Sequence, residues 1–323
     1  MKTKILGVEQ IHEAAEVLKR GGLVAFPTET VYGIGADAFN DEAVGRVYEA
    51  KGRPSDNPMI VHIARASDAG LLAKEISPDV VKLADAFWPG PLTMVLPKRE
   101  EVPVRVTGGL DTVGIRLPDS DIALTLIRLA GTPVAAPSAN ISGSPSPTKT
   151  EHVIADLDGK VDVILTGPDC RVGIESTVID MTVTPPQVLR PGIITRDVLE
   201  AVLEKPVNIS AGEEETPRSP GMKYIHYAPK AQMLVIQGMR EKVLWEIERV
   251  KKLNEKLGNN VGVLLFEERD FLTAAHDFYA ALRALDETGV DLILAGALPE
   301  TDGIGFAVMN RMLKAAGYNI AKV

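Results

Sequence analysis

Residues 23–60 read LVAFPTETVYGIGADAFNDEAVGRVYEAKGRPSDNPMI. Residues 23–26 form an apolar run of strand character that stops at Pro27, which carries no backbone donor to continue a ladder. The loop Thr28-Glu29-Thr30-Val31-Tyr32-Gly33 follows, rich in hydroxyls. Asn40 or Asp41 supplies an N-cap for a short helix over 42–50, and Lys51-Gly52-Arg53 sets two cations around a glycine at its end. The helix dipole by itself accounts for Lys51. Arg53, beyond the helix and before Pro54, has no such account. The stretch has the composition of an anion holder set between buried elements.

Working outward, residues 8–20 put Ile11, Ala14, Ala15 and Leu18 on one helical face, which Gly21-Gly22 ends. Residues 59–63 alternate like a strand, and Ser77-Pro78 opens a helix that Trp88-Pro89-Gly90 closes. Strands are expected at 92–96 and 113–117, the second carrying Arg116 between Ile115 and Leu117. A helix over 122–129 leads to a strand at 132–136, which empties into a second hydroxyl-rich loop, 137–146, with Ser138, Asn140 and Ser146. Strands at 161–165, 176–181 and 187–189 follow, the last ending in Arg190-Pro191-Gly192, and a helix over 195–203 completes the unit. Helices mixed with hairpin-length gaps predict an α+β domain on a mixed sheet, not a regular βαβ array.

Beyond residue 208 the pattern changes. Glu213-Glu214-Glu215 reads as a solvated linker, but residues 219–229 hold two tyrosines, a lysine and a histidine, more than a passive tether needs. From residue 232 strands at 233–236, 261–266 and 292–295 alternate with helices from about 239, at 271–285 and at 306–316, predicting a small parallel α/β sheet of Rossmann-like pattern. Gly303-Ile304-Gly305 lacks the third glycine of a dinucleotide fingerprint and reads as a helix-start turn. The expected division is 1–208, a linker at 209–231 folded over the site, and 232–323.

The 323 residues suit two domains, and 45% hydrophobic content supports ordinary cores. No run reaches the ~20 apolar residues of a membrane span. The first residues lack the apolar region of a signal peptide, and Cys170 is the one cysteine, so a cytoplasmic protein without disulfides or a cysteine metal site is expected. Net charge is −9; residues 1–208 carry 21 Lys+Arg against 28 Asp+Glu, and 209–323 carry 14 against 16. Neither half has the basic excess that drives phosphate-backbone binding, so strong direct tRNA binding is not expected.

The chain lacks GxxxxGK[ST], HExxH, CxxC and GxSxG, which sets aside Walker-type ATPases, those metal sites and a serine-nucleophile elbow. It offers Lys51, Arg53, Arg116 and Arg190 beside Thr28, Thr30, Ser138, Asn140, Ser146, Ser176 and Thr177. Guanidinium forks and hydroxyls suit phosphates and carboxylates. The residues alone therefore reach a small phosphorylated or carboxylated ligand and go no further.

Six motifs in order, PTETVYG (27–33), KGRPSDNPM (51–59) followed by His62, PSAN (137–140), GIESTVID (173–180), VLRPG (188–192) and SPGMKYIHYAP (219–229), resemble the threonylcarbamoyl-AMP synthase family in its long, two-domain form. Ile225 departs from the larger polar residue expected between Tyr224 and His226. The resemblance implies a YrdC-like first domain with a twisted sheet and a concave, locally positive groove. It implies a nucleotidyltransferase that makes threonylcarbamoyl-AMP and pyrophosphate from L-threonine, bicarbonate and ATP, with Mg²⁺ arriving on the ATP. A separate tRNA threonylcarbamoyl transferase complex would take the product.

By the same resemblance Thr30, His62, Thr112, Arg116 and Ser176 face threonine. Lys51, Arg53, Asn57, Ser138, Asn140, Ser146, Arg190 and Tyr224 (or Tyr227) face ATP, Lys51 and Arg53 being the catalytic cations. No protein metal ligand is implied. Two alternatives are a carbamoyl-adenylate-forming enzyme and a non-catalytic RNA-binding module; the acidic balance of both halves disfavours the second.

Overall fold

The computed structural model describes residues 2–210, 226–299 and 303–323. Strands β1 (Lys4–Leu6), β2 (Val24–Phe26), β3 (Gly33–Asp37), β4 (Ile60–His62), β5 (Leu92–Pro97), β6 (Thr112–Arg116), β7 (Val134–Ala135), β8 (Val163–Leu165), β9 (Thr177–Asp180), β10 (Gln187–Arg190) and β11 (Asn208–Ile209) form one mixed sheet, in the order β1-β8-β2-β3-β7-β4-β6-β5-β9-β10-β11. Helices α1 (Ile11–Lys19), α2 (Asp41–Lys51), α3 (Pro78–Phe87), α4 (Val104–Thr107), α5 (Asp121–Ala130), α6 (Thr150–Leu157) and α7 (Arg196–Leu203) connect and cover it. The mixed pairing is explicit at the centre: β4 runs parallel to β6, antiparallel to β7, and β5 runs antiparallel to β6 but parallel to β9.

The expected helices start where their caps demand. Asn40 accepts from the Ala43 amide, Ser77 from that of Val80 and Ser120 from that of Ala123. The apolar face Ile11, Ala14, Ala15 and Leu18 of α1 packs with Ala123, Leu126, Ile127 and Ala130 of α5 in one core cluster. Ala43, Val44, Val47 and Tyr48 of α2 join a second, larger cluster of this domain.

Gly33, the end of the expected loop, and residues 34–37, for which no element was expected, form strand β3, paired Val24↔Gly35 and Phe26↔Gly33 with β2. Glycines lower strand propensity in a sequence reading. Here Gly35 is required by packing: a Cβ on it would stand 2.6 Å from Val134 and 2.7 Å from Phe26. Strand β1, helices α4 and α6 and the short strand β11 were also not anticipated.

The second domain holds β12 (Gln232–Gln237), β13 (Val261–Leu264), β14 (Leu292–Gly296) and β15 (Ile320–Lys322), all parallel, in the order β13-β14-β12-β15. Alternate strand residues serve opposite faces. Val235, Ile293 and Ala295 face α9 (Phe271–Glu287) and α10 (Ile304–Ala315), while Ile236 and Leu294 face Val243 and Ile247 of α8 (Arg240–Lys256). Gly303 is the N-cap of α10, in keeping with the helix-start reading. The cluster under α9 and α10 also takes in Val31 and Ile174 of the first domain, so the two domains share a core.

Candidate functional site

A cleft is lined by the loop after β2 (Thr28, Thr30, Val31, Tyr32), by Arg53, by Ile60 and His62, by Arg116, by Ala136, Pro137 and Ser138, and by Glu175, Arg190, His226 and Tyr227. Ile60 and His62 are alternate residues of β4, so the cleft lies over one face of the sheet and not merely beyond its strand ends. Residues from every motif of the first domain meet here, although more than 160 positions separate Thr28 from Arg190.

The β2 loop is held by its own hydroxyls. Thr28 Oγ1 donates to the Val31 carbonyl at 2.6 Å, which makes Thr30 the donor in the 2.9 Å contact between the two threonines. His62 and Arg116 are register neighbours in the parallel β4–β6 pair. Burial, reinforced by the Arg116 charge, pushes His62 down to about 3, so its imidazole is neutral at physiological pH. Arg116 already has a carboxylate partner: its Nη2 lies 2.6 Å from Glu29 Oε2, with both side chains buried. Its Nε donates to the Gly90 carbonyl at 3.3 Å.

Arg53 and Arg190 are the other two arginines that line the cleft. Arg53 is fixed by the Asn57 and Pro58 carbonyls at 3.3 and 2.9 Å, and burial lowers it to about 10, still charged at neutral pH. Arg190 donates from Nε to the Ser176 carbonyl and from Nη2 to Ser176 Oγ, at 3.0 and 3.1 Å. Ser138 points Oγ to Asn140 Oδ1 at 2.5 Å, and Asn140 Nδ2 donates to the Ile141 and Ser144 carbonyls.

Several expected contacts lie behind the cleft wall. Lys51 Nζ is fully buried and donates to the Ser138 and Asn140 carbonyls, each at 2.5 Å, so it braces the 137–146 loop from within. A bare ammonium under two convergent carbonyls binds them, and the structure does not bring that amine into the wall as a phosphate contact. Asn57 and Ser176 support Arg53 and Arg190 respectively. Ser146 Oγ donates to Glu175 Oε1 at 2.7 Å. Thr112 sits at the far end of β6 from Arg116, paired with Pro97, and does not reach the cleft. Tyr224 lies outside the described residues. Tyr227 does line the cleft, in the left-handed region at φ 68°, with its ring 5.3 Å from that of Tyr279, while the next amide, Ala228, donates to the Gly143 carbonyl.

Glu175, His226, Tyr279 and Arg311 were not anticipated. Tyr279 OH reaches both Glu175 oxygens at 2.9 Å, and Arg311 Nε donates to Glu175 Oε2 at 3.1 Å. Burial pushes the Glu175 carboxyl upward, but Arg311, Arg190 and the Ser146 hydroxyl outweigh it and hold it below the ordinary carboxylate range. A carboxylate inside a phosphate-seeking loop set is set aside on charge grounds, which is why the sequence hid it. Its signal was the acid between Ile174 and Ser176 at the mouth of an apolar strand.

A family model described as telomere recombination matches residues 16–192, and one described as threonylcarbamoyl-AMP synthase, C-terminal domain, matches residues 194–317. The chain is similar to the threonylcarbamoyl-AMP synthase of Pyrococcus abyssi, at 49% identity over 97% of this chain and 96% of that one. It is 46% identical to the Bacillus subtilis synthase over 97% and 94%. The crystal structure of P. abyssi Sua5 complexed with L-threonine superposes with a TM-score of 0.95 at 47% identity, covering 99% of this chain and all of that one. With both domains matched end to end and the motif residues gathered in one cleft, the chain belongs to the threonylcarbamoyl-AMP synthase family in its two-domain form.

Proposed function

We propose that this chain forms threonylcarbamoyl-AMP and pyrophosphate from L-threonine, bicarbonate and ATP. One observation carries the reading: a single cleft holds a neutral, buried His62 beside Arg116 together with two further arginines, Arg53 and Arg190. The fold is that of a relative whose crystal structure is complexed with L-threonine. Threonine is assigned to Thr30, His62 and Arg116, and the nucleotide to Arg53, Ser138 and Arg190. Ser176 belongs to the support of Arg190, and Lys51, Asn57, Asn140 and Ser146 to the support of the loops that carry these groups.

The chemistry asks for positioning more than for proton transfer. Threonine and bicarbonate give an N-carboxy adduct with loss of water; one carboxylate oxygen of that adduct bonds to the α-phosphorus, and the bond to the β-phosphate oxygen breaks to release pyrophosphate. The nucleophile is already an anion, so the attack needs no protein base. Arg53 and Arg190 would meet the charge that builds on the phosphates, and Tyr227 would exclude water from a labile mixed anhydride. Mg²⁺ would arrive on the phosphate oxygens of ATP and supply charge neutralisation there. The product would pass to a tRNA-modifying transferase.

The test is pyrophosphate release from ATP in a matrix of omissions. Release is expected when threonine and bicarbonate are both present; release indifferent to threonine refutes the assignment.

A further inference from the structure

Glu175 places a carboxylate in the wall of the same cleft as Arg190, yet the two are not ion-paired. The reason lies in the second domain. Glu175 Oε1 accepts from Ser146, Oε2 accepts from Arg311, and the two oxygens share the single hydroxyl proton of Tyr279, so they are taken up by a hydroxyl of the first domain and by two side chains from α9 and α10. Arg311 is itself wholly buried. Its Nη1 donates to the carbonyl of Pro191, the residue directly after Arg190, and its Nη2 to the Glu175 carbonyl at 3.4 Å. One guanidinium thus fixes both the acid and the peptide that follows the cleft arginine.

The same face of the second domain is seated closely around this point. Gly173, two residues before Glu175 and at φ +83°, would place a Cβ 2.3 Å from the His276 carbonyl of α9. The Tyr279 ring lies tilted against Tyr227 of the cleft wall. Arg283 of α9 pairs with Asp156 of α6 at 2.7 Å and donates to the Pro145 carbonyl beside Ser146. These contacts converge on the groups that flank Glu175 and Arg190.

We propose that the C-terminal domain sets the nucleotide end of the cleft through Glu175: Arg311 and Tyr279 hold its carboxylate away from Arg190 and leave that guanidinium for phosphate. Arg311 is a positioning residue, acting through Glu175 and Pro191. This rests on the assignment of Arg190 to ATP made above. Without Arg311 the Glu175 carboxylate loses its cationic partner and turns to Arg190, and the ATP site is weakened while the threonine groups on β4 and β6 are left in place.

The experiment compares wild type, Arg311→Met, Tyr279→Phe, Glu175→Gln and the double variant Glu175→Gln/Arg311→Met. KM for ATP and for threonine are measured from threonylcarbamoyl-AMP formation, and ATP Kd by calorimetry. Arg311→Met is expected to raise the ATP KM and Kd about tenfold, as for loss of one charge-assisted contact, with the threonine KM within about twofold. Adding Glu175→Gln is expected to restore most of that loss, because a neutral amide does not compete for Arg190. Tyr279→Phe gives the same pattern at roughly threefold. A folded Arg311→Met with unchanged ATP affinity, equal rises for both substrates, or no recovery in the double variant overturns the proposal. Should Arg311→Met not fold, an unchanged ATP Kd in Tyr279→Phe overturns it. A wild type that binds ATP but makes no threonylcarbamoyl-AMP refutes the synthase reading instead, and the Kd series still decides the role of Arg311.

Discussion

At the residue scale, Lys51 braces a loop of the site from within. Its ammonium bridges the Ser138 and Asn140 carbonyls, and burial, with Arg53 nearby, lowers its pKa well below that of an ordinary lysine. Lys51→Met keeps the length of the side chain and removes both bonds. Each charged hydrogen bond contributes about 1.5–3 kcal/mol, so urea unfolding should show a loss of about 3 kcal/mol together with impaired ATP use. A variant as stable as the parent would return Lys51 to a direct phosphate role. His62 and His226 make a pH prediction, since burial holds both at about 3 in the folded chain. Their folded pKa values lie below the unfolded value, so the unfolded chain takes up protons first as pH falls. Stability is full above about pH 6.5 and declines from there towards pH 3, by about 2 kcal/mol per histidine at pH 5. Stability that is flat from pH 7.5 to 5 contradicts this.

At the element scale, the meeting of β9 and β10 positions Arg190. Gly192 follows β10, and a Cβ there would come within 2.5 Å of the Thr177 amide and 2.6 Å of its hydroxyl. Gly192→Ala must push the 190–192 segment off β9, at a cost of about 1–3 kcal/mol for overpacking. Its signature should be a raised ATP KM in a protein whose melting temperature falls by only a few degrees; unaltered kinetics would show that the segment shifts without moving Arg190. Strands β5, β6, β9 and β10 were legible as short apolar runs bounded by turn residues. Strand β3 was not, because its two glycines carry no pattern and the value of Gly35 is spatial: it lets Phe26 and Val134 close over the backbone.

At the scale of the whole molecule, the second domain completes the first. Val31 and Ile174 belong to the core under α9 and α10, and Glu175 relies on Tyr279 and Arg311. A chain ending at Ser210 would expose that apolar surface and leave a buried acid without its cation. Breaking such a pair costs about 3–5 kcal/mol. The truncated domain is therefore expected to aggregate or to melt far below the full chain. A truncated form with the stability and ATP affinity of the parent would show that the shared core is dispensable.

The sequence by itself determined the two-domain division of patterns, most strands and helices, and the family. Those follow from local periodicity, caps and motif strings, which are properties of neighbours along the chain. It also named Arg53, Ser138, His62, Arg116 and Arg190 as a group, and they do share one cleft. Only the tertiary structure decided which of the named residues face the cleft and which brace it, because burial and partner geometry are set by elements far apart in the chain. The contact of Arg311 with Glu175 spans 136 positions. No periodicity encodes such a pair; the packing of α10 against the first domain creates it, and the low dielectric of that interface demands it.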